Sequence, residues 1–279
     1  MKKLLFVFTV ALLFVTCKEN EKQSTVIEKL TKEVITTSIY PENITKVFDA
    51  HGGIDNWNRM KTLSFSVNKT NGAEITTTNL KTRAELIDTP TYTSGFDGRT
   101  LWVNEKDGNE FKGNAKFYKG LMMYFYAMPF IVGDDGIIYE EAEALTFEGK
   151  TYPGVLISYD ACGVILSKKN YYLAQTGVGL SPNDQYILYY DADSGQMQWL
   201  AYTVTFGKDE KSKKFSYIRY NDWQNLNGLA LPKSISWYKF EEGKPTELRN
   251  TVEFADVVVS EEAPDNSMFG MQEGAKIIE

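Results

Sequence analysis

The chain has 279 residues, 43% of them hydrophobic and 24% charged, the make-up of an ordinary globular protein with ample material for a core. A formal charge of −7 without a basic cluster argues against nucleic acid or an anionic membrane surface as partner. The 17 tyrosines and 16 phenylalanines favour strands.

Lys2 and Lys3 precede an apolar run over residues 4–15, broken only by Thr9, which is the pattern of a secretory signal and is set aside from the fold. Phe14-Val15-Thr16-Cys17 then resembles a bacterial lipobox, whose cysteine is acylated and becomes the mature N-terminus. It departs from the usual box, which has Leu three positions before the Cys and Gly, Ala or Ser just before it. An ordinary signal peptide or an uncleaved anchor is the alternative. Loss of residues 1–16 leaves 28 basic against 37 acidic residues, a net charge of −9. With Cys17 lipidated, Cys162 has no partner for an intramolecular disulfide and reads as a small buried hydrophobe. Residues 17–40 form a polar tether. Lys18-Glu19-Asn20-Glu21 within it resembles a surface-export signal, or is a solvated spacer.

A single domain is expected over residues 41–279. Pro41-Glu42-Asn43 suits a helix start. Ile44, Val47 and Phe48 give its buried stripe, and His51-Gly52-Gly53 ends it. The lone histidine, His51, is expected to cap the last carbonyls as an imidazolium. Trp57 and Met60 lead into the first strand. The period then changes to two: Leu63, Phe65 and Val67 alternate with polar residues. Asn71-Gly72, Asp97-Gly98 and Asp107-Gly108 turn the chain, with strands to Asp88 and from Leu101. Turns at this rhythm predict an antiparallel β domain.

Residues 117–136, FYKGLMMYFYAMPFIVGDDG, carry no charge from Leu121 to Val132. A helix that is apolar all round is buried, and this one is too short to span a bilayer. Pro129 is expected to end or kink it. Strands follow on both sides of Glu148-Gly149, then at 186–190, 196–206, 215–220, 234–240, 248–254 and 257–259. Leu200, Tyr202, Val204 and Phe206 share one face of their strand, and Met197, Trp199 and Ala201 the other. A sheet apolar on both faces is covered on both. A curved sheet holding a helix in its concave side accounts for this. The expected fold is mainly β: an unclosed antiparallel β-barrel, or half-barrel, with helices covering or plugging the concave face.

Several motifs follow one another in order: Ala50-His51-Gly52-Gly53 with Trp57, Gly95-Phe96-Asp97-Gly98 with Trp102, Tyr124-Phe125 with Met128-Pro129-Phe130, and Trp223 with Gly228-Leu229 and Leu231-Pro232. In these the chain resembles a Bacteroidota lipoprotein family of unassigned function, the DUF6503-type family, whose fold resembles the LolA/LolB-like lipoprotein carriers. The resemblance covers about residues 41–279. It implies a hollow for an acyl chain or another apolar ligand, an outer-membrane lipoprotein and no catalytic residues. Residues 161–176 stand as an insertion before the family's Gly-Val-Gly-x-Ser-Pro-x-Asp-x-Tyr motif at 177–186.

Chemistry has little to stand on. One histidine and one spare cysteine make neither a triad nor a zinc site, and no Gly-x-Ser-x-Gly elbow or P-loop occurs. Asp134-Asp135 reads as a solvated turn rather than a carboxylate pair. Asp191-Ala192-Asp193-Ser194-Gly195 reads as a hairpin turn, lacking the later ligands of a calcium loop. No cofactor, metal or catalytic residue is expected. The residues expected to meet a ligand are Tyr118, Leu121, Met122, Phe125, Met128 and Phe130, with Met122, Phe125 and Tyr126 on one helical face. The alternative for these residues is a solid core. The expected protein is a monomer that binds an apolar ligand or acyl chain without catalysis and meets the membrane through its lipid. A surface module for glycans or a partner protein, with Trp199, Trp223 and Trp237 as a stacking platform, is the second reading. A carboxylate-based hydrolase is the third.

Overall fold

The computed structural model describes residues 39–159, 183–208 and 210–279. Cys17, Cys162, the signal segment, the tether to residue 38 and the insertion at 161–176 lie outside them. Two short helices open the described unit: α1 (Glu42–Ala50), which buries Ile44, Val47 and Phe48, and α2 (Ile54–Arg59), which buries Trp57. Trp57 thus lies in a second short helix, and Met60, extended at its C-cap, leads into the first strand.

Two antiparallel seven-stranded sheets follow. The first contains β1 (Thr62–Lys69), β2 (Gly72–Asn79), β3 (Glu85–Asp88), β4 (Tyr92–Phe96), β5 (Leu101–Glu105), β13 (Ala255–Ser260) and β14 (Lys276–Ile277). The second contains β6 (Ile137–Phe147), β7 (Lys150–Tyr159), β8 (Tyr186–Tyr190), β9 (Met197–Tyr202), β10 (Ser216–Leu226), β11 (Leu229–Glu241) and β12 (Lys244–Glu253). Alternation drives the pairing: Leu63, Phe65 and Val67 of β1 all point into the core. The two-residue turns are tight. Glu148, Asn227 and Glu242 take φ of 49°, 52° and 51°, the left-handed geometry that matches strand twist.

The two sheets share one run of chain. β12 pairs with β11, β13 pairs with β1, and Phe254 between them donates its N–H to Lys233 O at 2.9 Å. The strand order thus continues from one sheet into the other and stops at two unjoined edges, β14 beside β5 and β6. This is an unclosed antiparallel half-barrel with few helices. The connection between β5 and β6 is the apolar segment, and it packs among core residues of both sheets.

That segment is three helices, not one: α3 (Ala115–Tyr118), α4 (Leu121–Tyr126) and α5 (Met128–Ile131). The first break is at Gly120, left-handed at φ 74°; the second is at Ala127. Pro129 does not end the run. It sits in the first turn of α5, where the missing N–H has no intrahelical partner to lose.

The second sheet has a core on each face. Leu188, Leu200, Ile218 and Ile235 join the main core; Leu145, Phe147, Tyr152, Tyr189, Trp199, Ala201 and Tyr217 form a separate cluster. The register shifts between Tyr189 and Tyr190 against β9, so Gln198 is an extra residue and Met197 turns to the main core, away from Trp199. The far face is covered by the sheet itself. Further shifts in β6–β7 and β11–β12 bend it until Phe147 and Tyr238 meet over Trp199, with ring centroids 4.9 to 5.7 Å apart.

Candidate ligand-binding site

The segment α3–α5 is pinned to the first sheet from below. Asn114 caps α3 by accepting Phe117 N–H at 3.1 Å. Tyr118 Oη donates to Glu74 at 2.6 Å, and Gly120 N–H donates to Glu85 at 2.8 Å. Tyr220 Oη reaches Phe125 O at 2.8 Å from β10. These bonds fix which faces of the short helices turn away from the first sheet.

Between those faces and the second sheet lies a cavity of about 250 Å³. Phe117, Leu121, Met122, Tyr124, Phe125 and Met128 line it from the helices. Asp184 and Tyr186 line it at the start of β8, Tyr202, Thr203, Val204 and Phe206 at the end of β9, and Trp237 from β11. Phe125 packs on Tyr202 at 4.9 Å and Trp237 at 5.9 Å, and Trp237 Nε1 donates to Tyr202 Oη at 3.0 Å. Phe117 meets Phe206 edge-on at 5.5 Å. Val204 and Phe206 are 41% and 38% exposed, so they mark the mouth, while Phe125, Met128 and Tyr186 are buried. Asp184 accepts both Thr205 N–H and Thr205 Oγ1–H at 2.7 Å, which holds the strand end that carries the mouth. Thr203 Oγ1 accepts Gln185 N–H at 2.9 Å.

Of the residues singled out in the sequence, Leu121, Met122, Phe125 and Met128 lie on this lining. Tyr118 and Phe130 do not. Tyr118 is held on Glu74, and Phe130 stacks on Trp57 at 4.9 Å with an interplanar angle of 6°. Nor do Met122, Phe125 and Tyr126 act as one face. α4 ends at Tyr126, whose ring packs on Phe65 at 5.0 Å and Phe254 at 4.6 Å. On the opposite wall Asp184 and Tyr186 are the last two fixed positions of the motif at 177–186, which was read as a family marker and not as a site. A second sequence signal is that Val204 and Phe206 continue the alternation of β9 beyond the strand's last residue, Tyr202.

Ionisable groups lie mostly behind the helices. Burial pushes Glu85 up to about 7, and burial pulls Lys119 down to about 8. The Lys119 ammonium sits 3.7 Å from the Phe96 ring centroid. Asp134 is not a solvated turn: both its oxygens accept from Arg83 Nη2, at 3.0 and 2.8 Å, with both side chains nearly enclosed. His51 caps Val47 O through Nδ1 at 2.7 Å, yet burial lowers it to about 4, so it does so as neutral imidazole rather than imidazolium. Its neighbours are the Trp223 and Phe130 rings, at 4.5 and 6.4 Å. Asp191 accepts the N–H groups of Asp193 and Ser194 and pairs with Lys150, the bonding of a hairpin turn. Among the described residues, no group of three or more His, Cys, Asp or Glu is placed to hold a metal. Trp199 is fully buried, and the Trp223 and Trp237 rings pack against His51 and Phe125, so the three do not share an open platform.

No protein-family model matches the sequence, and no curated protein does. Among solved structures, the chain is similar to a LolA superfamily protein from Nitrosomonas europaea, with TM-score 0.45 and 11% identity over 84% of this chain and 99% of that one. It is also similar to a DUF1329 family protein from Desulfovibrio piger, with TM-score 0.42 and 10% identity over 78% and 93%. At these scores the likeness carries no argument about what this chain binds.

Proposed function

We propose that this chain is a non-catalytic, lipid-anchored protein of the cell envelope that binds an apolar ligand or acyl chain in the cavity between α4 and the second sheet. The reading rests on one observation: about 250 Å³ of space, walled almost wholly by aromatic, methionine and leucine side chains, open at Val204 and Phe206. Enclosed apolar walls with few polar groups suit a ligand that is itself apolar. Cys17 would carry the anchor, and the outer membrane would be its site. The chain would act as a monomer.

Two measurements test this. Organic-solvent extracts of the purified protein, examined by mass spectrometry, should contain a co-purified lipid, and a hydrophobic fluorescent dye should bind and be displaced by lipid. Protein from several hosts that yields no lipid and binds no dye would end the proposal. An unmodified Cys17 at the mature N-terminus would end the anchor separately.

A further inference from the structure

Resting on the apolar-ligand reading, we infer that the cavity is a gauge for one unbranched alkyl chain, taken tail first, with about eight to ten carbons enclosed and the head left in water. The volume sets the count. A methylene occupies roughly the 30 Å³ of a liquid water molecule, so a cavity of about 250 Å³ holds a little over eight. Two chains side by side, or a fused polycyclic body, need more room than this.

The lining sets the direction. Exposure falls from Val204 and Phe206 at the mouth to Met128, at 2%, within. The inner walls are Met122, Phe125 and Met128, and methionine shifts rotamer at low cost to follow a flexible chain. Among the described lining residues none is cationic, so a carboxylate or phosphate head finds no counter-charge inside. The Phe125, Tyr202 and Trp237 rings pack on one another at 4.9 and 5.9 Å and so form one continuous aromatic wall along which an extended chain can lie. Length, rather than head chemistry, is then what this site distinguishes.

The test is a series of n-alkyl maltosides with about six to fourteen carbons, titrated by calorimetry below their micelle concentrations. Each enclosed methylene should tighten binding about fourfold. The gain should stop near eight to ten carbons and the affinity stay level beyond. A ring-tailed maltoside of equal carbon number should bind at least tenfold more weakly. Met128→Ala should move the break two to three carbons longer; Met122→Ala serves the same end if the first variant does not fold. A rise that continues unbroken to fourteen carbons, equal binding of the ring-tailed probe, or a break unmoved in the variant that folds would overturn the gauge while leaving apolar binding intact. If no alkyl probe binds at all, the gauge and the functional reading fall together.

Discussion

Two buried groups titrate in opposite senses, and this gives a quantitative prediction. Burial raises the Glu85 carboxyl from 4.5 to about 7, against the Gly120 N–H and the Lys119 charge, which favour the anion; Glu74 adds to the rise. The folded state therefore binds more protons than the unfolded one between pH 4.5 and 7. The Glu85 contribution is fully present below 4.5 and lost as pH rises through 7. His51 moves the other way: burial lowers it from 6.5 to about 4. Its contribution is present above 6.5 and lost as pH falls through 4. At 1.36 kcal/mol per unit, each amounts to at most about 3 kcal/mol. In the unmodified chain the two largely cancel between pH 4.5 and 6.5. Glu85→Gln keeps an acceptor for Gly120 N–H and removes one slope. Urea unfolding at steps from pH 4 to 7.5 should show the variant gaining up to about 3 kcal/mol on the parent between pH 4.5 and 7, over any pH-independent offset. Lys119, lowered to about 8, changes its contribution only above that pH. A gap between variant and parent that stays constant from pH 4.5 to 7.5 would refute the burial of Glu85 beneath the helical elbow.

Two further substitutions separate fold from site. A Cβ at Gly95 would lie 2.1 Å from Trp102 Cζ2, and Trp102 is fully buried with Nε1 bound to Phe269 O at 3.0 Å. Gly95→Ala should cost about 2 kcal/mol or more, read as a lower urea midpoint with an unchanged m-value; a neutral result would mean that the first sheet yields there. Phe206→Ser, at the half-exposed mouth, should cost less than about 1 kcal/mol of stability and weaken hydrophobic-dye binding about tenfold. Unchanged dye affinity would place the entrance elsewhere.

What could be read in the sequence was what is local. Ile44, Val47 and Phe48 mark the buried face of α1 by spacing alone, and the turns at Asp107-Gly108 and Glu148-Gly149 fall where the residue pairs place them. The apolar run from Leu121 was legible as buried because burial follows composition. Its division into three helices was not, since it depends on Gly120 being left-handed over the Glu85 carboxyl, 35 positions away in the chain. Met197 was placed on the face of Trp199 because strict alternation has no term for a bulge at Gln198. Half of the lining was hidden for a like reason. Tyr202 and Trp237 are ordinary strand residues until pairing brings them opposite α4.

The cavity itself follows from the broken helix. A continuous helix from Leu121 to Ile131 would rotate steadily and present apolar side chains to both sheets along its length. The break at Ala127 resets that rotation. Tyr126 is left against Phe65 and Phe254, and Phe130 against Trp57, so their volume is committed to the main core beside the first sheet, β13 and α2. Of the helix residues, Leu121, Met122, Phe125 and Met128, with Phe117 and Tyr124, line the space before the second sheet. Opposite them β9 ends at Tyr202, and the chain that follows carries Val204 and Phe206 to the mouth instead of inward. Two rings that could have filled the space are spent elsewhere, and the strand that could have closed it stops short. Joining the helices, for example with Gly120→Ala and Pro129→Ala together, would favour the rotation that the break prevents. The expected result is a chain that keeps its β-sheet circular dichroism and loses dye binding; retained binding would show that the walls, rather than the breaks, maintain the hollow.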